Sequence, residues 1–155
     1  MTNKIQTSII AGLVGTAVMT IVMMIAPLMG MPKMSPPEML SAMLGLPLFV
    51  GWVMHFMIGI IFAFVYTYLN VSTGRVENVY LKGAMFGAVI FAMAQIMMAI
   101  MGKIITMPAM DGSIILSMTG SLIGHIIFGM TVSKTVENNH IKENSEKVKP
   151  SNNEL

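Results

Sequence analysis

Two histidines lie within long apolar stretches of this sequence, and they are the residues best suited to bind a ligand. His55 and His125 each have a small residue four positions before and four positions after, in segments 51–59 and 121–129. Neutral imidazole is a common ligand for metal ions and for haem iron, so two inward-facing histidines could hold one ion or a haem. They could equally be structural groups that hydrogen-bond between helices, with Gln95 or a hydroxyl as the partner.

Methionine supplies the other chemistry-bearing side chains, because the chain contains 20 methionines and no cysteine. Thioethers are then the only soft ligands available, and they favour Cu(I). Inside the apolar stretches methionine is also an adaptable filler, but the Met-Pro-x-Met segments 31–34 and 107–110 lie outside them, where a filler gains little. The predicted cofactor is copper(I) or haem, with His55, His125 and Gln95 as cofactor-binding residues. The predicted metal ligands are His55, His125, Met31, Met34, Met97, Met101, Met107 and Met110.

The composition argues against an enzyme and against a nucleic-acid partner. Hydrophobic residues make up 55% of the chain and charged residues only 10%, which is typical of an integral membrane protein. The apolar stretches contain no Asp, Glu, Lys or Cys, so paired acids and activated nucleophiles are missing. The cations lie in short connections and near the C-terminus, so they do not predict a basic binding face. We therefore predict no catalytic residues.

Four apolar stretches are long enough to cross a bilayer, which takes roughly 20 helical residues each. Backbone polar groups in lipid must bond within their own segment, so stretches of this kind predict helices and an all-α integral membrane four-helix bundle. A short interfacial helix is predicted after Ser35, because Ser-Pro-Pro-Glu is typical of a helix start. The polar tail is expected to be disordered and cytoplasmic. The predicted spans are 9–29, 48–69, 83–102 and 114–133, the interfacial helix is 36–44 and the tail is 134–155.

The positions of the cations predict the orientation, because Lys and Arg beside short loops remain on the cytoplasmic side. Most lie on the side of the two termini, and only Lys33 and Lys103 lie on the other, so we predict both termini inside. The histidine segments and the two Met-Pro-x-Met segments recur in the same order. They predict that the bundle consists of two repeated αα-hairpins.

Each predicted helix also carries small or polar residues at a spacing of four, which lets helices approach closely in lipid. We expect these stripes to face inward and to bring His55, His125, Gln95 and Thr20 together in the outer half of the bundle. The stripes are Gly12, Thr16, Thr20 and Met24; Gly51, His55, Gly59 and Ala63; Ala84, Ala88, Ala92, Gln95 and Ala99; and Ser117, Ser121, His125, Gly129 and Ser133.

Three segments of the chain, 51–59, 94–98 and 120–125, resemble a family of uncharacterised small bacterial membrane proteins with four methionine-rich helices. The resemblance extends over about residues 9–133 and excludes the tail. It implies the bundle and a multi-pass location in the bacterial inner (cytoplasmic) membrane. It implies no activity.

These observations leave three hypotheses of different kinds. The first is a Cu(I)- or haem-binding accessory protein that uses the two intramembrane histidines. The second is a structural subunit of a membrane complex, in which the stripes serve packing alone. The third is a small transporter, which would require a homo-oligomer because four helices leave little room for a pathway. In each case the lipid bilayer is a partner.

Overall fold

The computed structural model describes residues 2–33, 35–69, 77–105 and 112–148, and the regular structure in these ranges is helical. No strand occurs among the described residues, so the predicted all-α class is confirmed. A short 3-10 helix, Ala26–Met29, extends the first α-helix. The α-helices are α1 (Thr2–Ile25), α2 (Pro36–Leu44), α3 (Leu48–Tyr68), α4 (Val79–Ile104) and α5 (Ile114–Val148).

Four segments are long and apolar enough to cross a membrane, and each overlaps one of the predicted spans. α1 passes into the 3-10 helix at Pro27, which lacks an N–H, and the chain turns at Gly30 with a φ of +83°. α4 begins earlier than predicted because the Asn78 side chain accepts hydrogen bonds from the N–H groups of Tyr80 and Leu81. The segments are Lys4–Met29, Leu48–Tyr68, Val79–Ile104 and Ile114–Asn139.

The short helix predicted over residues 36–44 is present as α2. Its first turn is capped by Ser35, whose Oγ accepts a hydrogen bond from the Glu38 N–H at 3.4 Å. α2 packs on the start of α3, where Gly51 lies so close to the Pro37 carbonyl that a Cβ would overlap it. Gly51 therefore serves the contact with α2 rather than a contact between two long helices.

The four long helices pack in the order α3, α1, α5, α4, so α1 and α5 each have two long neighbours. α3 and α4 lie largely apart, and they meet where the edge of the Tyr66 ring approaches Phe86 at a centroid distance of 4.9 Å. If the two hairpins were related by symmetry, α3 would pack on α4 as extensively as α1 packs on α5. The predicted repeat is therefore not visible in how the helices pack.

Glycine determines the two closest helix crossings. Gly12 of α1 faces the backbone of α3, where a Cβ would lie 2.5 Å from the Cα of Ile60. Gly129 of α5 lies against Gly83 and Gly87 of α4, and a Cβ on any of these three glycines would overlap backbone atoms of the other helix. Close backbone approach of this kind replaces the hydrophobic effect as the source of helix association in lipid.

The predicted inward stripes are correct for α3 and partly wrong for α1 and α4. All four stripe residues of α3 are buried, although Gly51 is covered by α2 and not by another long helix. On α1 the side chain of Met24 is 68% exposed and its neighbour Met23 is buried at 4%. On α4 the buried residues are Gly83, Phe86, Gly87 and Ile90 instead of the alanine stripe. The prediction failed because glycine allows α5 to approach more closely than alanine would, which turns the glycine face inward.

The C-terminal segment also differs from its prediction. We expected disorder from residue 134, whereas α5 continues as a helix to Val148; residues 149–155 lie outside the described residues. Val136 is 6% exposed and belongs to the core, so the helix is still packed one turn beyond the predicted span. The hydroxyls of Thr135 and Ser145 bond to carbonyls four residues earlier, as in the preceding turns.

A hydrogen-bonded chain joins three helices at the end of the bundle where α4 begins. The Ser133 hydroxyl of α5 donates to the Val79 carbonyl of α4 at 2.8 Å. Since its proton is used there, the Tyr66 hydroxyl of α3 must donate to Ser133 Oγ. Tyr66 and Ser133 are only 8% and 2% exposed, so their hydroxyls depend on each other for hydrogen bonds.

We expect Tyr66→Phe to lower the free energy of unfolding by about 1–2 kcal/mol, because it removes the donor to a buried hydroxyl and keeps the ring. Tyr68→Phe on the same helix is the matched control, because Tyr68 is 53% exposed. Thermal unfolding of both variants in one detergent measures the difference. Equal melting temperatures would contradict a structural role for the Tyr66–Ser133 bond.

Candidate metal centre

His55 is a buried residue about two turns into α3, with a side chain 8% exposed. Its Nε2 lies 3.1 Å from the Oγ1 of Thr20 on α1, and Thr20 Oγ1 also donates to the Thr16 carbonyl at 2.7 Å. A hydroxyl has one proton, and the shorter bond to Thr16 uses it. Nε2 of His55 is therefore the donor to Thr20, and Nδ1 carries the lone pair of the neutral imidazole.

His125 is a half-buried residue of α5 whose ring is also fixed by one hydrogen bond. Its Nδ1 lies 2.7 Å from the backbone carbonyl of Ser121, one turn earlier on the same helix. A carbonyl can only accept, so Nδ1 carries the proton and Nε2 carries the lone pair. The ring also meets Phe91 of α4 edge to face at a centroid distance of 5.9 Å.

Both histidines lie on helices that pack against α1. Their helices, α3 and α5, make few direct contacts, because α1 lies between them and packs on both. The α1 side chains in this region include two buried methionines, Met19 and Met23, at 5% and 4% exposure. The core between the two histidine helices thus contains thioethers as well as imidazoles.

Met19 and Met23 are site residues that sequence reasoning missed. Their terminal methyl groups lie over Gly124, the residue before His125; a Cβ there would lie 2.7 Å from the Met23 Cε and 3.5 Å from the Met19 Cε. Gly124 was the available signal, because a glycine beside an inward histidine leaves room for a long side chain from the facing helix.

The other predicted methionine ligands are not brought to the histidines by the described structure. Met97 is 62% exposed on the outer surface of α4, because that helix turns its glycine face towards α5. Met101 is half-buried in the last turn of α4, ten residues after Phe91, and Met31 is half-buried just after the 3-10 helix. The remaining three, Met34, Met107 and Met110, lie outside the described residues.

Gln95, which was predicted to partner the histidines, is half-buried on α4 one turn after Phe91. The His125 ring instead donates its hydrogen bond to the Ser121 carbonyl of its own helix. The predicted meeting of His55 with Thr20 is present in the structure. The site therefore has one interhelical bond that the sequence indicated and one local bond that it did not.

A tight α1–α3 crossing lies one turn from His55. Thr16, at 1% exposure, turns its hydroxyl oxygen towards Gly59, where a Cβ would overlap it. Thr16 Oγ1 has no conventional hydrogen-bond partner among the described residues. It faces the nearby Cα of Gly59 instead. The backbones of α1 and α3 thus meet beside the histidine, so a macrocycle does not fit between these two helices.

The atoms available here as metal ligands are imidazole nitrogens and thioether sulfurs rather than oxygens. Among the residues that the structure describes, no group of three or more His, Asp or Glu side chains could hold a metal ion. Two imidazoles with thioethers nearby form a different kind of set, one that suits a soft ion of low coordination number.

Comparison with known proteins identifies a family. The model of DUF6789, a family of unknown function, matches residues 2–146 of the chain. No curated protein matches, and no solved structure matches. The match extends past the four candidate spans and includes most of the C-terminal continuation of α5.

Proposed function

We propose that this chain, which belongs to the family of unknown function DUF6789, is a multi-pass membrane protein that binds one Cu(I) ion between His55 and His125. The binding serves metal supply or the assembly of a metal-containing membrane complex. His55 and His125 supply nitrogen ligands in this proposal, and Met23 supplies sulfur. Such an ion would be held inside the bundle, shielded from water by α1, α3 and α5.

The proposal rests on the hydrogen bonds and tautomers of the two imidazole rings. Each imidazole already donates one N–H to a fixed acceptor, His55 to Thr20 and His125 to the Ser121 carbonyl. Metal-binding histidines usually donate their other N–H in this way, which fixes the tautomer and the ring orientation. Each ring then presents one unprotonated nitrogen, so an ion can bind without removing a proton from either ring.

The buried thioethers favour Cu(I) over harder ions. Met19 and Met23 lie over Gly124, next to His125, while the chain offers no thiolate. Thioether sulfur and imidazole nitrogen suit Cu(I), and an interior without carboxylates does not compensate the charge of Mg²⁺ or Ca²⁺. The close contact between the α1 and α3 backbones beside His55 favours a single ion over haem.

We expect Met23→Leu to weaken Cu(I) binding about tenfold, because leucine fills a similar volume and removes the sulfur. Its neighbour provides the matched control, since Met24 is 68% exposed and Met23 only 4%. Competition against a coloured Cu(I) chelator measures both affinities. Equal affinities in Met23→Leu and Met24→Leu would remove Met23 from the ligand set without touching the role of the histidines.

The proposal includes the orientation and location expected from the sequence, with both termini in the cytoplasm and the chain in the bacterial inner membrane. The N-terminal part of α1, the start of α4 and the C-terminal part of α5 lie at one end of the bundle, because Gly15 packs on Val132 and Gly83 on Met130. Lys4, Lys82 and Lys134 thus share that end, while Lys33 and Lys103 lie at the other. Cations of this kind favour the cytoplasmic side.

The direct test is titration of purified full-length protein in detergent with Cu(I) under a chelator, with total copper measured by elemental analysis. We expect one ion per chain in the wild type. His140→Gln, which removes the remaining histidine of the chain, should bind equally. Absence of saturable Cu(I) binding would overturn the proposal and favour a structural subunit. A Soret band after addition of haem, with no competition by Cu(I), would instead favour the haem alternative.

A further inference from the structure

A groove on the outer surface of α5 lies away from the histidines, at the end of the bundle where α4 begins. Its volume is about 310 Å³, and it is lined by Tyr80 of α4 and by Ile127, Met130, Thr131, Lys134 and Thr135 of α5. None of the described residues that line it is a carboxylate. From this combination of one cation with an apolar wall, we propose that the groove binds one anionic phospholipid.

The polar end of the groove has a positioned cation. The Nζ of Lys134 lies over the Tyr80 ring, 5.6 Å from its centroid, so the aromatic face holds the ammonium at the mouth of the groove. The hydroxyls of Thr131 and Thr135 donate their hydrogen bonds to backbone carbonyls of α5. The ammonium of Lys134 and the phenol of Tyr80 are therefore the donors that the groove offers to a phosphate.

The remainder of the groove is apolar and runs towards the middle of the bundle. Ile127 lies about 12 Å from Thr135 along the helix axis, at 1.5 Å per residue, which is most of one leaflet's hydrocarbon depth. An acyl chain lying on Ile127 and Met130 places its phosphate at the level of Lys134. A soluble anion would use Lys134 alone and would leave the apolar wall uncovered.

The depth of the groove matches the interface expected for this end of the bundle. Tyr80 is in the first turn of α4, and tyrosine is typical of the boundary between hydrocarbon and headgroups. The bundle here is closed internally by the Tyr66–Ser133 bond, so the groove is separate from the core. Binding of a lipid there does not depend on occupancy of the histidine site.

Native mass spectrometry of the full-length protein tests the proposal, with phosphatidylglycerol and phosphatidylcholine of identical acyl chains added in turn. We expect one tightly bound phosphatidylglycerol and a preference over phosphatidylcholine of about fivefold, the contribution of one cation near an anionic surface. Lys134→Gln should abolish the preference. Lys142→Gln removes the same charge about two turns further along α5, outside the groove, and should retain the preference.

Three outcomes would overturn the proposal. An equal loss of preference in Lys134→Gln and Lys142→Gln would show general attraction to the cationic end of the bundle. Unchanged preference in Lys134→Gln would exclude that ammonium as the headgroup ligand. Displacement of the lipid by inorganic phosphate would show a site for a free anion. The elution profile and melting temperature of each variant, compared with wild type, show that a change in binding is not a loss of fold.

Discussion

Gly129→Ala is expected to separate α5 from α4 and to lower the free energy of unfolding by about 3 kcal/mol, the upper part of the range for overpacking. The added Cβ would overlap the Gly83 carbonyl and would lie 2.7 Å from the Gly87 N and 2.9 Å from the Gly87 Cα. All three are backbone atoms, which cannot rotate away as a side chain can. Relief requires one whole helix to move, and among the described helices only the Tyr66 contact of α3 would still hold α4 in place.

Gly124→Ala on the same helix is the matched control. Its nearest contact would be the Met23 Cε at 2.7 Å, the far end of a flexible side chain. We expect a loss below about 1 kcal/mol, because methionine can change rotamer at small cost. Thermal unfolding followed by circular dichroism in one detergent compares the two variants. Similar losses would mean that helix propensity or the detergent, rather than backbone contact, determines the stability of this crossing.

The second large effect concerns the histidines. We expect His55→Gln and His125→Gln each to weaken Cu(I) binding on the order of 100-fold, the largest loss typical of residues that merely hydrogen-bond to a metal ligand. A glutamine amide can still donate a hydrogen bond, so His55→Gln retains a donor for Thr20. What it lacks is the nitrogen lone pair, and its carbonyl oxygen is a poor ligand for a soft ion. The double variant should bind no Cu(I) above the chelator's background.

His140→Gln is again the control, and melting temperatures of all variants exclude unfolding as the cause. A stability loss without a binding loss would indicate that the histidines act as packing and hydrogen-bonding residues. A binding loss in only one single variant would show that the ion, if bound, is held by one histidine with sulfur ligands. Equal binding in the double variant and the wild type would contradict the histidine site altogether.

The sequence was sufficient to predict the helices and several of their ends. Long apolar stretches determine the spans, because a chain in lipid has few alternatives to a helix. Ser35 with the prolines that follow it predicted the start of α2, and Asn78 shows the same chemistry at α4, where the prediction began too late. The polar composition of the tail was misleading, since packing of Val136 continues α5 past the span.

The inward faces were harder to predict, for a physical reason. Both surfaces of a membrane helix are apolar, so hydrophobic periodicity does not distinguish the interior from the lipid. Small residues are the remaining signal, and on α4 alanines and glycines form competing stripes; glycine prevails because it allows the closer approach. The error of one residue between Met23 and Met24 has the same origin, and it hid the buried thioether from the site prediction.

The local hydrogen bonds of the site were partly predictable. Thr20 and His55 were expected to meet because each lies in a stripe of small residues on its helix, and their bond is present. The bond of His125 to Ser121 involves a backbone carbonyl four residues earlier, which any helix offers and no side-chain pattern reveals.

The position of α1 between α3 and α5 has a consequence for biosynthesis. α1 is made before the other described helices, and 44% of its candidate span is covered by other parts of the protein, against 11% for α4. Of its two long neighbours, α5 is the one made later, after α3 and α4. The side of α1 that carries Met19 and Met23 therefore lacks this neighbour until α5 has been synthesised. The interior around these methionines consequently forms only after α5 is made, and a chain that stops before α5 cannot complete it.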